Sequence, residues 1–546
     1  MQPSQEDKRD TKMAEVAAFA RHDTTTIGAR LAELAEEHPG ESGFAIIRYG
    51  QPALAARIAL SDLAEKSLDV QYYIWEADAT GRILADRLVR AADRGVRVRV
   101  LLDDINLSGR DARVAALDAH PNIEIRIFNP FSSRRFRALD FAVDLARVNH
   151  RMHNKMMIMD NALSLVGGRN VGAHYFAAHA ESNFRDLDIV SGGPLVRETT
   201  SVFERFWNGA WSVPVSDLVG ECYTERDCQA AIAVIREEIR QDNYPFPLEV
   251  ETQKLIDRLE SIFADFVWAP GEIVWEDPSS IYEGISEGRM NKALYERLRT
   301  LEHELLIESA YFVPRTVGVD ATGRLAERGV NVRVLTNSLA ANDVLAAHAG
   351  YSKYRKALLE NGVELYELRP YPGAVDKKIV SAESKAALHT KAIVFDRKDV
   401  FIGSFNLDPR SAAINTEAGI YVQSPELAGQ VIDFMEEGVA PENAFRVLLD
   451  DNSDLRWVIE KDGVRLDYDT DPNSRWYQRW IARLIALMPI DKQLCLFTWP
   501  CDASSHAWSR NGKPTNRAAG LTANASRSGR TVSFRRPRDG SFRPCG

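Results

Sequence analysis

Two copies of one pattern of polar residues recur in this 546-residue chain. The first copy consists of His153, Lys155, Asp160 and Asn170. The second copy consists of His389, Lys391, Asp396 and Asn406. In both copies the lysine, aspartate and asparagine follow the histidine by 2, 7 and 17 residues. A single histidine is ordinarily interpreted as structural, but identical intervals in two copies favour a functional role.

The residue types in this pattern suit an anionic phosphodiester. The lysines and asparagines would bind the non-bridging oxygens, where negative charge develops. One imidazole would attack phosphorus while the other protonates the leaving alkoxide. The sequence shows neither a Cys/His spacing typical of zinc nor a carboxylate cluster with ligand spacing. We therefore expect no metal and no other cofactor, because the lysines and asparagines supply the positive charge.

Each motif is expected to lie at one end of a buried strand. The apolar runs Met156–Met159 and Ala392–Phe395 predict these strands, and alternation places His and Lys on the same side of each. The motif aspartates, Asp160 and Asp396, follow seven residues later, roughly 23 Å along an extended chain. That distance predicts a structural or turn-forming role for them.

Two further carboxylates precede strands at matching places. Asp186 precedes Leu187–Val190, and Glu417 precedes the strand Gly419–Val422. Because an imidazole reacts best when a carboxylate holds its other nitrogen, we predict that these two acids orient the histidines. The alternative is that both are surface acids at strand edges.

The surrounding pattern predicts an α/β fold. Val70–Trp75 and Val96–Leu102 are typical of strands, and Thr80–Asp93 between them is typical of a helix that ends at Gly95. Alternation of this kind favours a parallel-rich sheet with helices on both faces. Similar segments recur about 234–240 residues later, so one domain is predicted to be duplicated.

The duplicated H-x-K-x4-D pattern with its trailing Gly and Asn resembles the phospholipase D superfamily. Segments that resemble its bacterial cardiolipin synthase C-like branch are Val70–Trp75, Leu335–Asp343, Gly403–Ser411 and Asn415–Ala418. The resemblance runs from about residue 31 to about residue 494. It implies two duplicated α/β/α domains with mixed, mainly parallel sheets, related by a pseudo-two-fold axis that brings the motifs together.

The resemblance also implies roles for the residues. It counts Asp160 and Asp396 among the catalytic signature, with His153 as nucleophile and His389 as general acid and base. It implies a phosphatidyltransferase that forms cardiolipin, with phosphatidylglycerol as acceptor and phosphatidylethanolamine or phosphatidylglycerol as donor. Hydrolysis at the same site, by a phospholipase D or a nuclease, is the alternative. A membrane-binding scaffold with an inactive site is disfavoured, because both motifs are intact.

The predicted organisation has six parts. They are an N-terminal extension (1–40), a first phospholipase D-like domain (41–215), an insertion or linker (216–277), a second such domain (278–434), a C-terminal segment (435–494) and a disordered tail (495–546). The tail is rich in Arg, Ser, Gly and Asn and has few aliphatic residues, which is typical of disorder.

A group of arginines precedes the first motif. Arg134, Arg135, Arg137 and Arg151 are candidates to bind a second phosphate of a lipid acceptor or an anionic membrane surface. The alternative is an ordinary solvated basic loop. The formal net charge of the chain is −10, so nucleic acid is not expected as a partner.

The chain is expected to meet lipid from the cytoplasmic side of the inner membrane. Residues 1–12 are polar, which argues against a secretory signal, and no apolar run reaches the ~18 residues that a membrane span needs. A helix over 474–488 would place Trp476, Trp480 and Leu484 beside a stripe of arginines. This pattern favours an interfacial membrane anchor, and the alternative is a helix docked on the domain.

Overall fold

The computed structural model describes residues 22–134, 136–220, 222–242, 244, 252–279, 288–371 and 384–487. Three sets of residues with predictions lie outside these ranges. They are Arg135, residues 1–21 of the predicted N-terminal extension, and residues 495–546, which are predicted to be disordered.

Each half of the chain contains both strands and helices. The described strands of the first half are β1 (Ser42–Ile47), β2 (Ser67–Tyr72), β3 (Arg97–Asp103), β4 (Ile123–Phe128), β5 (Met156–Met159), β6 (Leu163–Gly167), β7 (Ser182–Arg185), β8 (Asp188–Gly192), β9 (Ser212–Pro214) and β10 (Val267–Ala269). Those of the second half are β11 (Gly271–Trp275), β12 (Glu304–Ser309), β13 (Asn331–Asn337), β14 (Glu364–Leu368), β15 (Lys385–Leu388), β16 (Lys391–Phe395), β17 (Asp399–Gly403), β18 (Ala418–Gln423), β19 (Ala444–Leu449), β20 (Leu455–Lys461) and β21 (Val464–Tyr468).

The described α-helices of the first half are Thr26–Glu36, Gly50–Leu63, Ala79–Asp93, Asp111–Asp118, Arg137–Val143, Leu145–Val148, Pro194–Trp207, Val215–Leu218, Glu225–Gln241 and Thr252–Ala264. Those that follow are Arg289–Thr300, Arg315–Glu327, Leu345–Ser352, Arg355–Glu360, Pro409–Ala413, Pro425–Val439 and Trp476–Leu487. Short 3₁₀ turns cover His22–Thr24, Asp104–Asn106 and Ala173–Phe176.

Local sequence explains where these elements begin and end. Asp78 caps the helix Ala79–Asp93, because its side chain accepts from the N–H of Gly81 at 3.0 Å. Gly95, with φ of +92°, lies just past the end of this helix, as the sequence predicts.

The described strands form two large sheets with the same central order. In the first sheet the order is β10-β1-β8-β6-β5-β2-β3-β4-β9, and in the second it is β11-β18-β17-β16-β12-β13-β14-β19-β20-β21. The six central strands correspond one to one. This confirms the predicted α/β class and the duplication.

The sheets are mixed, but most of their described strand pairs are antiparallel, which corrects the expectation of mainly parallel sheets. In each sheet two pairs are parallel, β2–β3 and β3–β4 in the first and β12–β13 and β13–β14 in the second. Helices join these strands, as parallel connections require. The motif strand β5 instead reaches its neighbour β6 through a tight turn, so this pair is antiparallel.

The two halves pack directly on each other. Strand β7 of the first half pairs with β15 of the second in a two-stranded parallel sheet. Behind the motifs, a buried apolar cluster includes Val166 and Ile189 of one half and Ile402 and Ile420 of the other. The motif strands of both halves therefore share one interior.

The C-terminal segment is attached to the second half. The hairpin β20–β21 turns at Asp462-Gly463 and extends the second sheet. The helix Trp476–Leu487 lies against the helix Leu345–Ser352. An ion pair of 2.8 Å between the buried Arg355 and the half-buried Asp471 fixes the chain just before it.

Candidate active site

The two motif histidines are held by a reciprocal pair of backbone contacts between the halves. The N–H of His153 donates to the carbonyl of Thr416 at 2.9 Å, and the N–H of His389 donates to the carbonyl of Arg185 at 2.8 Å. Thr416 and Arg185 directly precede the two predicted orienting acids. This exchange of equivalent contacts is what a two-fold relation between the halves produces.

The side chains repeat the same exchange. Nδ1 of His153 lies 2.8 Å from Glu417 Oε2, and Nδ1 of His389 lies 2.7 Å from Asp186 Oδ2. All four side chains are buried. Both acids were predicted from the sequence, and the structure pairs each with the histidine of the opposite half. The Nδ1 contact orients each ring so that Nε2 is the nitrogen that can react.

Burial favours the neutral form of both imidazoles. It lowers the pKa of His153 to about 4, although Glu417 opposes the shift. The pKa of His389 is also lowered, first by burial and then by the ammonium groups of Lys391 and Lys155. A neutral imidazole with Nδ1 donating to a carboxylate has its lone pair at Nε2, as a nucleophile requires.

The two carboxylates have different surroundings. Ser404 donates its hydroxyl to Glu417 Oε2, and that hydroxyl accepts from the N–H of Ala418 at 3.0 Å. Gly168 occupies the equivalent place in the first half, where a Cβ atom would lie 2.2 Å from Asp186 Oδ1. Glycine therefore makes room for the carboxylate of Asp186, which is one methylene shorter than that of Glu417 and sits closer to the backbone.

Both motif lysines are buried beside their histidines. Lys155 Nζ donates to the carbonyl of His153, and Lys391 Nζ donates to the carbonyl of His389. Burial lowers the pKa of each ammonium group, while Glu417 and Asp186 oppose the shift. Two buried cations beside two imidazoles form a site that a phosphate anion would complement.

The two motif asparagines differ in their contacts. Asn170 accepts from the N–H of Ile74 at 3.1 Å and donates to the hydroxyl of Tyr175 at 2.9 Å. Asn406 is also buried, and its Oδ1 has no hydrogen-bond partner within the described part of the chain. Asn170 is thus committed to the protein, whereas Asn406 retains a free acceptor.

Two tyrosines that were not predicted from the sequence also contact the motif residues. The ring of Tyr73 meets His153 edge-on with centroids 4.9 Å apart, and its centroid lies 5.3 Å from Lys155 Nζ. Tyr175 meets His389 edge-on at 5.0 Å. Tyr73 lies in the segment Val70–Trp75 that carried the family resemblance, but the spacing of the motif gives no signal for Tyr175.

The motif aspartates form turns away from the histidines. Asp160 has φ of +54° and accepts from the N–H groups of Glu65, Lys66 and Ser67 at 2.8–2.9 Å. Asp396 has φ of +50° and accepts from three consecutive N–H groups, those of residues 302–304, at 2.7–2.9 Å. These contacts support the structural role that their spacing predicts.

The arginines described near the first motif bind carboxylates of the same half. Arg134 pairs with Asp104 and Asp111, and Arg137 pairs with Asp104. Arg151 is buried and lies 3.2 Å from Asp103. These ion pairs occupy the three guanidinium groups, and their part in binding a second phosphate or a membrane surface stays a prediction.

The described residues also bear on metal binding and on membrane crossing. In the described ranges, no group of three or more His, Cys, Asp or Glu side chains is arranged to hold a metal ion. None of the described helices combines the length and the apolar character that crossing a membrane requires.

Comparisons with known proteins agree with this geometry. The family described as "Cardiolipin synthase, PLD-like domain" matches residues 58–207 and 294–438, which contain the two motifs. Cardiolipin synthase C of Escherichia coli (strain K12) is 37% identical over 479 residues, which cover 85% of this chain and 99% of that protein. An uncharacterised protein of Helicobacter pylori (strain ATCC 700392 / 26695) is 30% identical over 472 residues, covering 85% of this chain and 92% of that protein.

Among solved structures, phosphatidylserine synthase of Haemophilus influenzae Rd KW20 is similar in fold. The TM-score is 0.54 at 14% sequence identity, with 86% of this chain and 99% of that chain covered. At this identity the likeness concerns the fold alone.

Proposed function

This chain belongs to the cardiolipin synthase-like family of the phospholipase D superfamily, and on that premise we propose that it transfers a phosphatidyl group from one phospholipid to an alcohol of another. The acceptor alcohol is that of phosphatidylglycerol, and the donor is phosphatidylethanolamine or phosphatidylglycerol. The product is a cardiolipin.

The observation that carries the proposal is the reciprocal pairing of His153 with Glu417 and of His389 with Asp186. It supplies two oriented imidazoles in one buried site, as a double displacement at phosphorus requires. Lys155 and Lys391 supply positive charge for the non-bridging oxygens. An anionic phosphodiester would in turn favour the charged forms of both lysines and of His389.

In the first step, His153 Nε2 attacks phosphorus and forms a P–N bond. The P–O bond to the donor head group breaks, its electron pair stays on the leaving oxygen, and His389 gives that oxygen a proton. Glu417 stabilises the positive charge that develops on the His153 ring.

In the second step, His389 takes the proton of the acceptor alcohol, whose oxygen attacks phosphorus. The P–N bond breaks and its electron pair returns to His153. One phosphodiester replaces another, so the reaction needs no nucleotide.

We also propose that the enzyme works as a peripheral protein on the cytoplasmic face of the inner membrane. The exposed apolar side chains of the helix Trp476–Leu487 support contact with a membrane surface. Nucleic acid is not proposed as a partner, because the chain carries a net charge of −10.

Incubation of the purified protein with defined phospholipids, followed by mass spectrometry of the products, tests the proposal. Cardiolipin is the expected product, and phosphatidic acid alone would show that water replaces the acceptor alcohol. His153→Ala and His389→Ala should each abolish turnover. A trapped phosphorylated peptide should contain His153, whereas one that contains His389 would reverse the two roles.

The same assay tests the expectation that no metal takes part. The rate should be unchanged after exhaustive chelation, because lysines provide the charge stabilisation that a metal would otherwise give. Loss of activity that a divalent metal restores would contradict the mechanism.

A further inference from the structure

A cavity of about 110 Å³ lies inside the first half, apart from the motif residues. Its walls come from β3 and β4, from the helices Ala79–Asp93 and Asp111–Asp118, and from Ile235 of the helix Glu225–Gln241. The proposed phosphoryl chemistry does not use it.

The interior of this cavity is aliphatic. Leu88, Val100, Leu102, Val114 and Ile125 are among its lining residues. Protein interiors are normally close-packed, so an unfilled apolar pocket of this kind can accept an apolar ligand. Its volume of about 110 Å³ and its aliphatic lining suit a short hydrocarbon segment.

Charged residues lie at the margin of the cavity. Arg82 and Arg113 also line it, and they bind Asp242 at 2.7 Å and Glu238 at 3.0 Å. These ion pairs hold the end of the helix Glu225–Gln241 over the cavity. An apolar interior with a charged margin matches an amphipathic ligand.

The cavity wall is continuous with the active site along three consecutive residues. Tyr73 packs against His153, the N–H of Ile74 donates to Asn170, and Trp75 lines the cavity. Because successive Cα atoms are about 3.8 Å apart, the wall begins within about 8 Å of the Cα atom of Tyr73.

We propose that this cavity binds a segment of one acyl chain of the phospholipid whose phosphate lies at His153 and Lys155. The proposal rests on the phosphatidyl transfer proposed above. It assigns to the apolar interior the part of the substrate that the histidines and lysines cannot recognise.

Photo-crosslinking of the full-length protein tests this assignment. The probe is phosphatidylglycerol with a diazirine in one acyl chain, presented in mixed micelles, and lipid turnover is measured in the same samples. Adducts are expected in peptides that contain residues 82–89 or 110–117. Ala85→Leu fills the cavity, and labelling of these peptides should fall about tenfold, because about two methylene groups lose their burial.

The matched control is Ala112→Leu, which makes the same change at an exposed position of the helix Asp111–Asp118 and should leave labelling unchanged. A thermal melt of each variant identifies unfolding. If Ala85→Leu does not fold, the positions of the adducts on the wild-type chain show whether the cavity binds the acyl chain. Normal turnover with adducts only outside the two stretches would overturn the acyl-chain site and leave the transferase proposal standing. Adducts in the cavity without turnover would support the site and count against the transferase.

Discussion

The carboxylate of Glu417 lies 2.8 Å from Nδ1 of His153, although 264 residues separate them. His389 and Asp186 repeat this relationship over 203 residues at 2.7 Å. Each histidine is therefore oriented by the other half, so neither half alone contains a complete imidazole–carboxylate pair. Packing of the two halves is a condition for reactivity as well as for stability.

Replacing Glu417 with glutamine should impair catalysis more than folding. The variant keeps the shape of the side chain but removes the negative charge that stabilises a positively charged His153. We expect kcat to fall on the order of 10²- to 10⁴-fold, the range found when such orienting groups are changed. Rates and melting temperatures would be compared with those of Glu296→Gln, an exposed position on the helix Arg289–Thr300. Wild-type kcat in Glu417→Gln would exclude an orienting role.

Replacing Asp160 with asparagine should have the opposite effect. The buried carboxylate accepts three backbone N–H groups, and a carboxamide offers one oxygen acceptor and adds a donor. We expect destabilisation of about 1–3 kcal/mol, with kcat of the folded enzyme close to wild type. Urea unfolding and active-site titration separate the two quantities. A large loss of kcat at unchanged stability would instead support the catalytic role that the resemblance implies.

The motif patterns allowed much of the site to be predicted from sequence. Residue spacing indicated the motif strands, the turn-forming aspartates and both orienting acids, because these features depend on local periodicity and on repetition. Which histidine each acid would orient was not predictable, since contacts across more than 200 residues leave no local pattern.

The contrast between local patterns and distant contacts also explains what was wrong in the predicted fold. Alternating strands and helices correctly indicated the parallel crossovers from β2 to β4, but the remaining strands are joined in ways that this pattern does not encode. The arginines before the first motif form ion pairs that the sequence pattern does not indicate. Their carboxylate partners, Asp103, Asp104 and Asp111, lie 20 or more residues earlier in the sequence.

The buried imidazole of His153 should make stability depend on pH. Its pKa is about 4 in the folded protein, lowered by burial from the ordinary value of 6.5. Between these two values the unfolded chain binds more protons, so stability should fall as the pH falls from about 6.5 to about 4. Thermal melts over this range should show a smaller decline for His153→Gln, which cannot be protonated. Parallel curves for the two proteins would contradict the assignment.

Asp396 should contribute to acid sensitivity at lower pH. Burial tends to raise the pKa of Asp396, but the N–H donors of residues 302–304 outweigh it and lower the pKa below its usual value. Its contribution to stability is therefore complete above the unfolded pKa, ~3.9, and is lost as the pH falls through the folded value. The difference in melting temperature between wild type and Asp396→Asn should be largest near neutral pH and shrink towards pH 3. A difference that grows on acidification would refute this sign.

The helix Trp476–Leu487 provides the test of membrane contact. Trp476, Trp480 and Leu484 are 73%, 59% and 43% exposed, so their truncation removes few contacts within the protein. We expect the triple alanine variant to keep its melting temperature and to bind anionic vesicles more weakly, because Trp and Leu burial in the interface provides affinity. Hydrolysis of a small soluble phosphodiester, if the enzyme accepts one, should be unaffected.

The matched control replaces exposed apolar residues of the hairpin, Val464 and Leu466, with alanine. Vesicle co-sedimentation and thermal melts of both variants separate the alternatives. Unchanged vesicle binding with a large drop in melting temperature would show that the helix stabilises the fold by packing on Leu345–Ser352. Equal losses of binding in both variants would place the membrane contact on the whole C-terminal segment, because the hairpin and the helix would then contribute alike.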